Sequence, residues 1–314
     1  MSEGKKVGIL RKVLGNYYAS SEEMLFFCPK CNHHKRKMSV NISKDVFKCW
    51  ICDYHGISIR KLIRNHGSFK DLSAWSELTN EVDISSFGEN LFDKGFVEEE
   101  QKIELPKEYI SLANRNSSMS SLRARNYLAS RGITKKDFVR WKIGYCEEGD
   151  YAQRIIVPSF GMTGYANYFI ARTYADNWKK YMNPPATRDI IFNELYLDFD
   201  KDIIIVEGVF DAIVAGPNSV PILGSTLREQ SKFFQEIVRK DSTVYIALDP
   251  DAEKKATYLI KNLLKYGIEI YKTNISPYGD VGEMSRSEFQ KRKDNSKLIT
   301  SEDYLLLHLH SLLE

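Results

Sequence analysis

The stretch IIIVEGVFDAI, residues 203–213, decides how the second half of the chain folds. Four β-branched apolar residues in succession read as a strand buried on both faces. That strand runs into Glu207, and Gly208 behind it permits a sharp turn. VFDAIVAG then reads as a short helix closed by Gly216. The rhythm repeats in STVYIALDPD, residues 242–251, a second buried strand ending in Asp249 and Asp251. EKKATYLIKNLLKYG is a helix with Ala256, Leu259, Ile260, Leu263 and Leu264 on one face, and IEIYKT is a further strand. Short apolar strands alternating with amphipathic helices predict an α/β fold with a parallel-type sheet.

In an open α/β sheet the carboxyl ends of adjacent strands meet at one crevice. Glu207, Asp249 and Asp251 are therefore expected to face one another there, with Asp280 of SPYGDVGE adding a fourth acid on the same edge. Carboxylates so placed repel and raise one another's pKa, so a divalent cation is their natural partner. Mg2+ or Mn2+, two or more ions, suits carboxylates combined with substrate phosphates. A lone DPD also makes a good turn and helix cap; the pairing with Glu207 at a matching strand end is what argues for metal. Asp211 lies one helical turn beyond Glu207 and is expected to stand behind the metal ligands or to touch a nucleotide.

Upstream, SSLRARNYLASRGI reads as a helix with Leu122, Tyr127, Leu128 and Ala129 giving it a partly apolar face, ended by Gly132. Two strands follow around a glycine turn, at residues 154–158 and 166–173. The first 70 residues carry 14 Lys and Arg against 5 Asp and Glu, whereas residues 71–105 carry 2 against 10. A basic head suits a polyanionic partner, and the acidic neck, with weak periodicity, reads as a solvated linker. No apolar run approaches a membrane span or a signal-peptide core, which predicts a cytoplasmic protein. No internal repeat is visible.

The head holds two C-x2-C knuckles, Cys28 with Cys31 and Cys49 with Cys52, at zinc-ribbon spacing. Four thiolates satisfy one Zn2+, so His33, His34 and His55 are expected at the surface, and the lone Cys146 in a core. Between the knuckles, Met38, Val40 and Ile42 alternate before a turn and a return through Val46 and Phe47, which predicts a small hairpin. A head of this size is expected to have little core of its own and to lean on its metal. Lys30, Lys35, Arg36, Lys37 and Lys48 surround the knuckles, and Trp50, with Phe47 nearby, supplies an aromatic face. Cations beside aromatic rings fit single-stranded nucleic acid.

Taken together, CPKC with CWICDYHGI, then RIIVPSF, ARTY and KKYMNPP, then VEGVFDAI with ALDPDA, resemble in that order the replicative DNA primases. The first pair is similar to their zinc-ribbon head, and the last to the Toprim signature that primases share with topoisomerases and some nucleases. The resemblance implies a zinc-binding domain at residues 1–70, a linker at 71–105, the N-terminal part of an RNA polymerase core at 106–200 and a Toprim subdomain at 201–292. A tail at 293–314, with the leucine-rich TSEDYLLLHLHSLLE, is a possible helicase contact.

The resemblance further implies an enzyme that makes short RNA primers de novo on single-stranded DNA. Glu207, Asp249 and Asp251 would hold catalytic metals with support from Asp280. Arg154, Arg172, Lys180 and Asn183 would contact ribonucleotide phosphates and the template or nascent RNA. Lys254 stands where many relatives have glycine, and is placed to touch phosphate instead. The absence of a G-x-x-x-x-G-K-[ST] stretch and of a large C-terminal domain is most similar to the stand-alone primases of large tailed bacteriophages, and implies a replicative helicase on a separate chain, in the host cytoplasm if phage-encoded. A non-enzymatic recombination-mediator clamp, or a Toprim nuclease, also joins some of these parts.

Overall fold

A computed structural model describes residues 2–20, 23–56, 58–79, 100–300 and 302–306. The chain divides into two compact units. The first holds the described residues up to 79 together with Leu263–Glu269, and the second the described residues from 100 onward apart from that short segment. Among the described residues no helix is long and apolar enough to cross a membrane.

In the first unit, helix α1 (Ser2–Leu14) precedes five strands, β1 (Tyr18–Ser20), β2 (Glu23–Phe26), β3 (Met38–Asn41), β4 (Val46–Cys49) and β5 (His55–Gly56). They form one antiparallel sheet in that order. The expected hairpin is β3 with β4, its turn held by Asn41 Oδ1, which accepts from Ser43 Oγ at 2.8 Å and from the Lys44 N–H at 2.9 Å. Helices α2 (Ile59–His66) and α3 (Phe69–Thr79) follow, and the Ser58 hydroxyl caps α2 by accepting from the Arg60 N–H.

The expectation of a meagre core is corrected here. Leu10 of α1, Leu62 and Ile63 of α2, and Leu72 and Trp75 of α3 are buried with Phe26, Val40 and Phe47 of the sheet. The acidic linker is shorter than its composition suggests for the same reason. Residues 71–79 are helical, because Leu72 and Trp75 stand three apart on one face that the many carboxylates around them concealed. Asp71 starts that helix: its carboxylate accepts from the Ser68 N–H at 2.9 Å and pairs with Lys12 at 2.5 Å. Those contacts, led by Lys12, hold its pKa down at about 2. At the other end, the Ile103 N–H donates to Ala166 O at 2.8 Å, which joins residues 100–105 to the second unit. Residues 80–99 of the expected linker, and 301 and 307–314 of the expected tail, lie outside the described residues.

The second unit opens with β6 (Tyr109–Ser111), helices α4 (Met119–Ser130) and α5 (Lys135–Arg140), then β7 (Gly144–Cys146), β8 (Arg154–Phe160) and β9 (Ala166–Thr173). These strands make an antiparallel sheet in the order β6-β7-β8-β9. Helix α4 buries Ser121, Ala124 and Leu128; of its expected apolar face, Leu122 and Ala129 are exposed. Cys146 is fully buried among Ile156, Phe169 and Ala171, and burial pushes its thiol up to about 12.

The α/β part is β10 (Ile203–Val206), α6 (Val209–Ala215), β11 (Ser219–Pro221), α7 (Lys232–Lys240), β12 (Val244–Ala247), α8 (Glu253–Lys265), β13 (Ile270–Lys272), α9 (Arg286–Asp294) and β14 (Lys297–Leu298). The sheet order is β11-β10-β12-β13-β14, parallel throughout except for β14. All four residues of β10 are buried, as its unbroken apolar run requires of a strand covered on both faces. The short edge strands β11 and β14 carry no such run, and their pairing is supplied by the sheet beside them.

Replacing Trp75 with Ala is expected to destabilise the first unit by about 3–5 kcal/mol. Hydrogen exchange reads this as lost protection in α2 and β3 while β10 and β12 keep theirs. Unchanged protection would show that α3 is no part of that core.

Candidate active site and cysteine cluster

Strands β10 and β12 lie side by side in parallel, Val206 opposite Ala247. The residues just past their ends therefore share one edge. Carboxylate oxygens of Glu207, Asp249 and Asp251 lie within 4.8 Å of one another. Glu207 and Asp249 are half-buried and Asp251 is exposed, so the group opens to solvent on one side. Burial, and then the charges of Asp211, Glu207, Asp280 and Asp251, lift the Asp249 carboxyl to about 7.

Two oxygens of this group, Glu207 Oε2 and Asp249 Oδ1, are buried without a hydrogen-bond partner. Orphaned anionic oxygens facing one another are the donor set of a hard divalent cation. The residues therefore fit the expected metal. Lys255 reaches the group, its Nζ 2.7 Å from Glu207 Oε1. Lys254, expected at a phosphate, is exposed.

Asp211 is held by backbone N–H groups. It is buried, and its two oxygens accept from the Gly208 N–H at 2.8 Å and the Gly282 N–H at 2.9 Å. It thereby ties the loop bearing Glu207 to the loop bearing Asp280. Both partners are glycine because a Cβ would meet an Asp211 oxygen at 2.9 Å at position 208 and 3.0 Å at position 282. Burial and the Asp280 charge hold the Asp211 carboxyl up at about 6 despite these two N–H donors. Asp280 is outside the three-carboxylate group, and its Oδ1 caps its own turn by accepting from the Glu283 N–H at 2.8 Å.

The expected phosphate contacts separate into two kinds. Arg154 is buried, and its guanidinium forks onto the carbonyls of Lys179 at 3.0 Å and Lys180 at 3.3 Å. Asn183 Oδ1 accepts from the Ala171 N–H at 3.2 Å. Both hold the loop after β9. Lys180 is exposed, and Arg172 is half-buried. The Arg172 guanidinium donates to the Tyr181 hydroxyl and lies 5.0 Å from the Tyr181 ring and 5.3 Å from that of Phe210, three residues after Glu207. Arg131 approaches the same Phe210 ring at 5.4 Å and rests on Tyr127. Sequence reading passed over Arg131 and Lys255 because nothing in their local pattern marks them; only the packing of α4 and α8 brings them in.

In the first unit the four cysteine sulfurs lie within 4.8 Å of one another, with Cys28 to Cys52 at 3.7 Å and Cys31 to Cys49 at 3.9 Å. Sulfurs bound tetrahedrally to one zinc ion at about 2.3 Å stand about 3.8 Å apart, so these two separations suit a four-thiolate zinc site. In each knuckle the residue after the second cysteine, Asn32 or Asp53, takes a left-handed conformation that these side chains tolerate. Burial raises the Cys28 thiol to about 12. At Cys49 burial also pulls upward, but the N–H groups of Cys52 and Ile51 outweigh it and bring the thiol down to about 7.

The sheet beside this cluster has one face in the core and one open. Tyr18, Leu25, Lys48 and His55 stand in register on that second face, with Ser39 buried among them. Trp50 is 62% exposed, donates from Nε1 to Ser39 Oγ at 3.3 Å and carries Lys48 at 5.3 Å from its ring. Arg36 sits between the rings of Tyr18 and Phe27 at 4.3 and 4.4 Å, and Lys30 lies 5.3 Å from that of Tyr54. Lys35 and Lys37 are exposed. Phe47, expected beside Trp50, points into the core instead. Tyr18 and Phe27 take its place, which their position outside the knuckles hid.

No protein-family model matches the chain. It is similar to the DNA primase of Thermotoga maritima, 24% identical over 222 residues that cover 56% of this chain and 39% of that one. The chain thus spans less than half the length of that relative. The fold is similar to the zinc-binding and RNA polymerase domains of the Aquifex aeolicus primase, with a TM-score of 0.51, 19% identity and coverage of 94% of this chain and 84% of that one. It is also similar to the DnaG primase catalytic domain bound to single-stranded DNA, with a TM-score of 0.53, 16% identity and coverage of 62% and 77%.

The Asp249 shift gives a pH-dependent outcome. Its folded pKa, raised from 3.8 to about 7, means that the stabilisation from its bound proton is present below about pH 4 and is lost as pH rises to about 7. Asp249→Asn in a metal-free chain is therefore expected to melt at a higher temperature than the parent at pH 8, with the difference shrinking toward pH 4. Mg2+ at pH 8 should raise the melting temperature of the parent more than that of the variant. A parent indifferent to both pH and Mg2+ would contradict the placement of these acids.

Proposed function

We propose that this chain is a DNA primase, a DNA-directed RNA polymerase that joins ribonucleotides into short primers on single-stranded DNA. The observation that carries this is the meeting of Glu207, Asp249 and Asp251 at one sheet edge with buried oxygens left unpaired. It stands in a chain whose fold is similar to primase zinc-binding and RNA polymerase domains.

Nucleotidyl transfer forms a bond from a hydroxyl oxygen to the α-phosphorus of a nucleoside triphosphate and breaks the bond to pyrophosphate. Mg2+ or Mn2+ bound by the three carboxylates supplies Lewis-acid polarisation of the phosphate oxygens. The chain's own part is to fix those carboxylates, for Glu207 through the hold of Asp211 on the Gly208 N–H, and to bring cations to the triphosphate. Arg172, held on Tyr181 and Phe210, is placed for that task, with Arg131 beside it. Lys255, on Glu207 in this structure, offsets the acidic charge. In the first unit Cys28, Cys31, Cys49 and Cys52 hold Zn2+, and the open sheet face with Arg36, Lys48 and Trp50 takes single-stranded template. Phosphate attraction and base stacking act together on such a face.

A replicative helicase on a separate chain belongs to this reading through the sequence resemblance. The kinship with stand-alone phage primases rests on the sequence resemblance.

Incubation with single-stranded DNA, labelled ribonucleotides and Mg2+ tests the proposal directly: primers of RNA are expected, whereas a nuclease shortens DNA and a recombination clamp does neither. Glu207→Gln is expected to abolish primer synthesis while binding to single-stranded DNA persists. Near-normal synthesis by that variant would refute the site. Metal analysis of the purified chain is expected to find about one zinc per chain, and a folded, zinc-free protein would overturn the cysteine assignment.

A further inference from the structure

The loop after β9 presents an indole to water. Trp178 is 92% exposed, the most open of the large apolar side chains described. A single exposed aromatic residue is common and by itself says nothing. What surrounds Trp178 distinguishes it.

The loop is pinned on both stems. At its base Arg172 bridges Tyr181, and the Thr173 N–H donates to Lys180 O at 3.0 Å. The Met182 N–H donates to Ala171 O at 2.9 Å. Arg154, buried beneath, grips the carbonyls of Lys179 and Lys180, and Asn177 Oδ1 accepts from the Lys179 N–H at 2.9 Å. Trp178 thus sits on a held backbone, which lowers the ordering cost of a contact.

The charges beside it are uneven. Lys179 and Lys180 are exposed and have no ion-pair partner among the described residues, and Asp176 is the only carboxylate of residues 173–181. The loop base also points back to the acids, because Arg172 rests on Phe210, three residues from Glu207. An exposed indole flanked by unpaired cations, on a rigid loop rooted beside the carboxylate group, is a base-stacking platform for a single strand.

We propose that Trp178 stacks on an unpaired base of the single-stranded DNA template, with Lys179 and Lys180 on the flanking phosphates. This rests on the primase reading for the identity of the strand. It adds a contact in the second unit that is separate from the open face beside the cysteine cluster.

The test is anisotropy of fluorescein-labelled oligothymidylate, titrated with the full zinc-loaded chain over a salt series and without ribonucleotides. Trp178→Ala is expected to weaken binding about tenfold with the salt slope unchanged, and Trp178→Phe to recover most of the loss. Lys179→Gln with Lys180→Gln is expected to flatten the salt slope by about 0.7 for each lysine. In a Trp50→Phe background, oligothymidylate should quench the emission that Trp178 contributes. Parental affinity in Trp178→Ala, or a Phe variant as weak as the Ala one, overturns the stacking contact. The primase reading is tested apart from it by primer synthesis with the parent chain. A parent that makes primers while Trp178→Ala binds normally removes only this inference.

Discussion

The convergence of like charge at the ends of β10 and β12 is the constraint on which the second unit is built. Parallel neighbours in register must deliver their next residues to the same edge, and here those residues are acids. Repulsion among them would drive the loops apart unless something held them. For the loop of Glu207, Asp211 does so from behind, tying it to the loop of Asp280 through the Gly208 and Gly282 N–H groups. That this clamp is itself an acid is part of the same constraint: it takes backbone N–H groups from two loops at once, and adds its charge to the group in front.

Cations answer this charge from three directions. Lys255 comes from α8 and already touches Glu207. Arg131 and Arg172 come from α4 and β9 and meet on the ring of Phe210. The loop after β9 brings Lys179 and Lys180, and Arg154 spends its whole fork holding that loop's carbonyls. A buried guanidinium that shapes a loop and an exposed ammonium that the loop presents are different contributions, though both arise from basic residues in one short region.

The first unit solves a separate problem. Its strands are short, and the four sulfurs gather where the two knuckles meet, at the separation a tetrahedral ion demands. The helices close the other side of the sheet, which frees one face for Tyr18, Lys48 and Trp50. A sheet with one buried face and one cationic, aromatic face is suited to a strand of nucleic acid laid across it.

What the sequence determined by itself is what local pattern encodes. The unbroken run of residues 203–206 could only be a strand covered on both sides, and its acid at the end followed from chain direction. The knuckle spacing marked the cysteine cluster for the same reason, since two residues between ligands set a turn. Charge counts misled where composition and periodicity disagreed: Leu72 and Trp75 made a buried helix within an acidic stretch. Tertiary structure alone decided which basic residues are free. Arg154 and Arg172 look alike in the chain, yet one is walled in by carbonyls and the other rests half-buried between the rings of Tyr181 and Phe210. Lys255 rather than Lys254 reaches Glu207, because the direction of a helical side chain depends on how the whole helix lies against the sheet. Ligand sets close in sequence are legible early; the partners of a charge are set by segments far apart, and only packing brings those together.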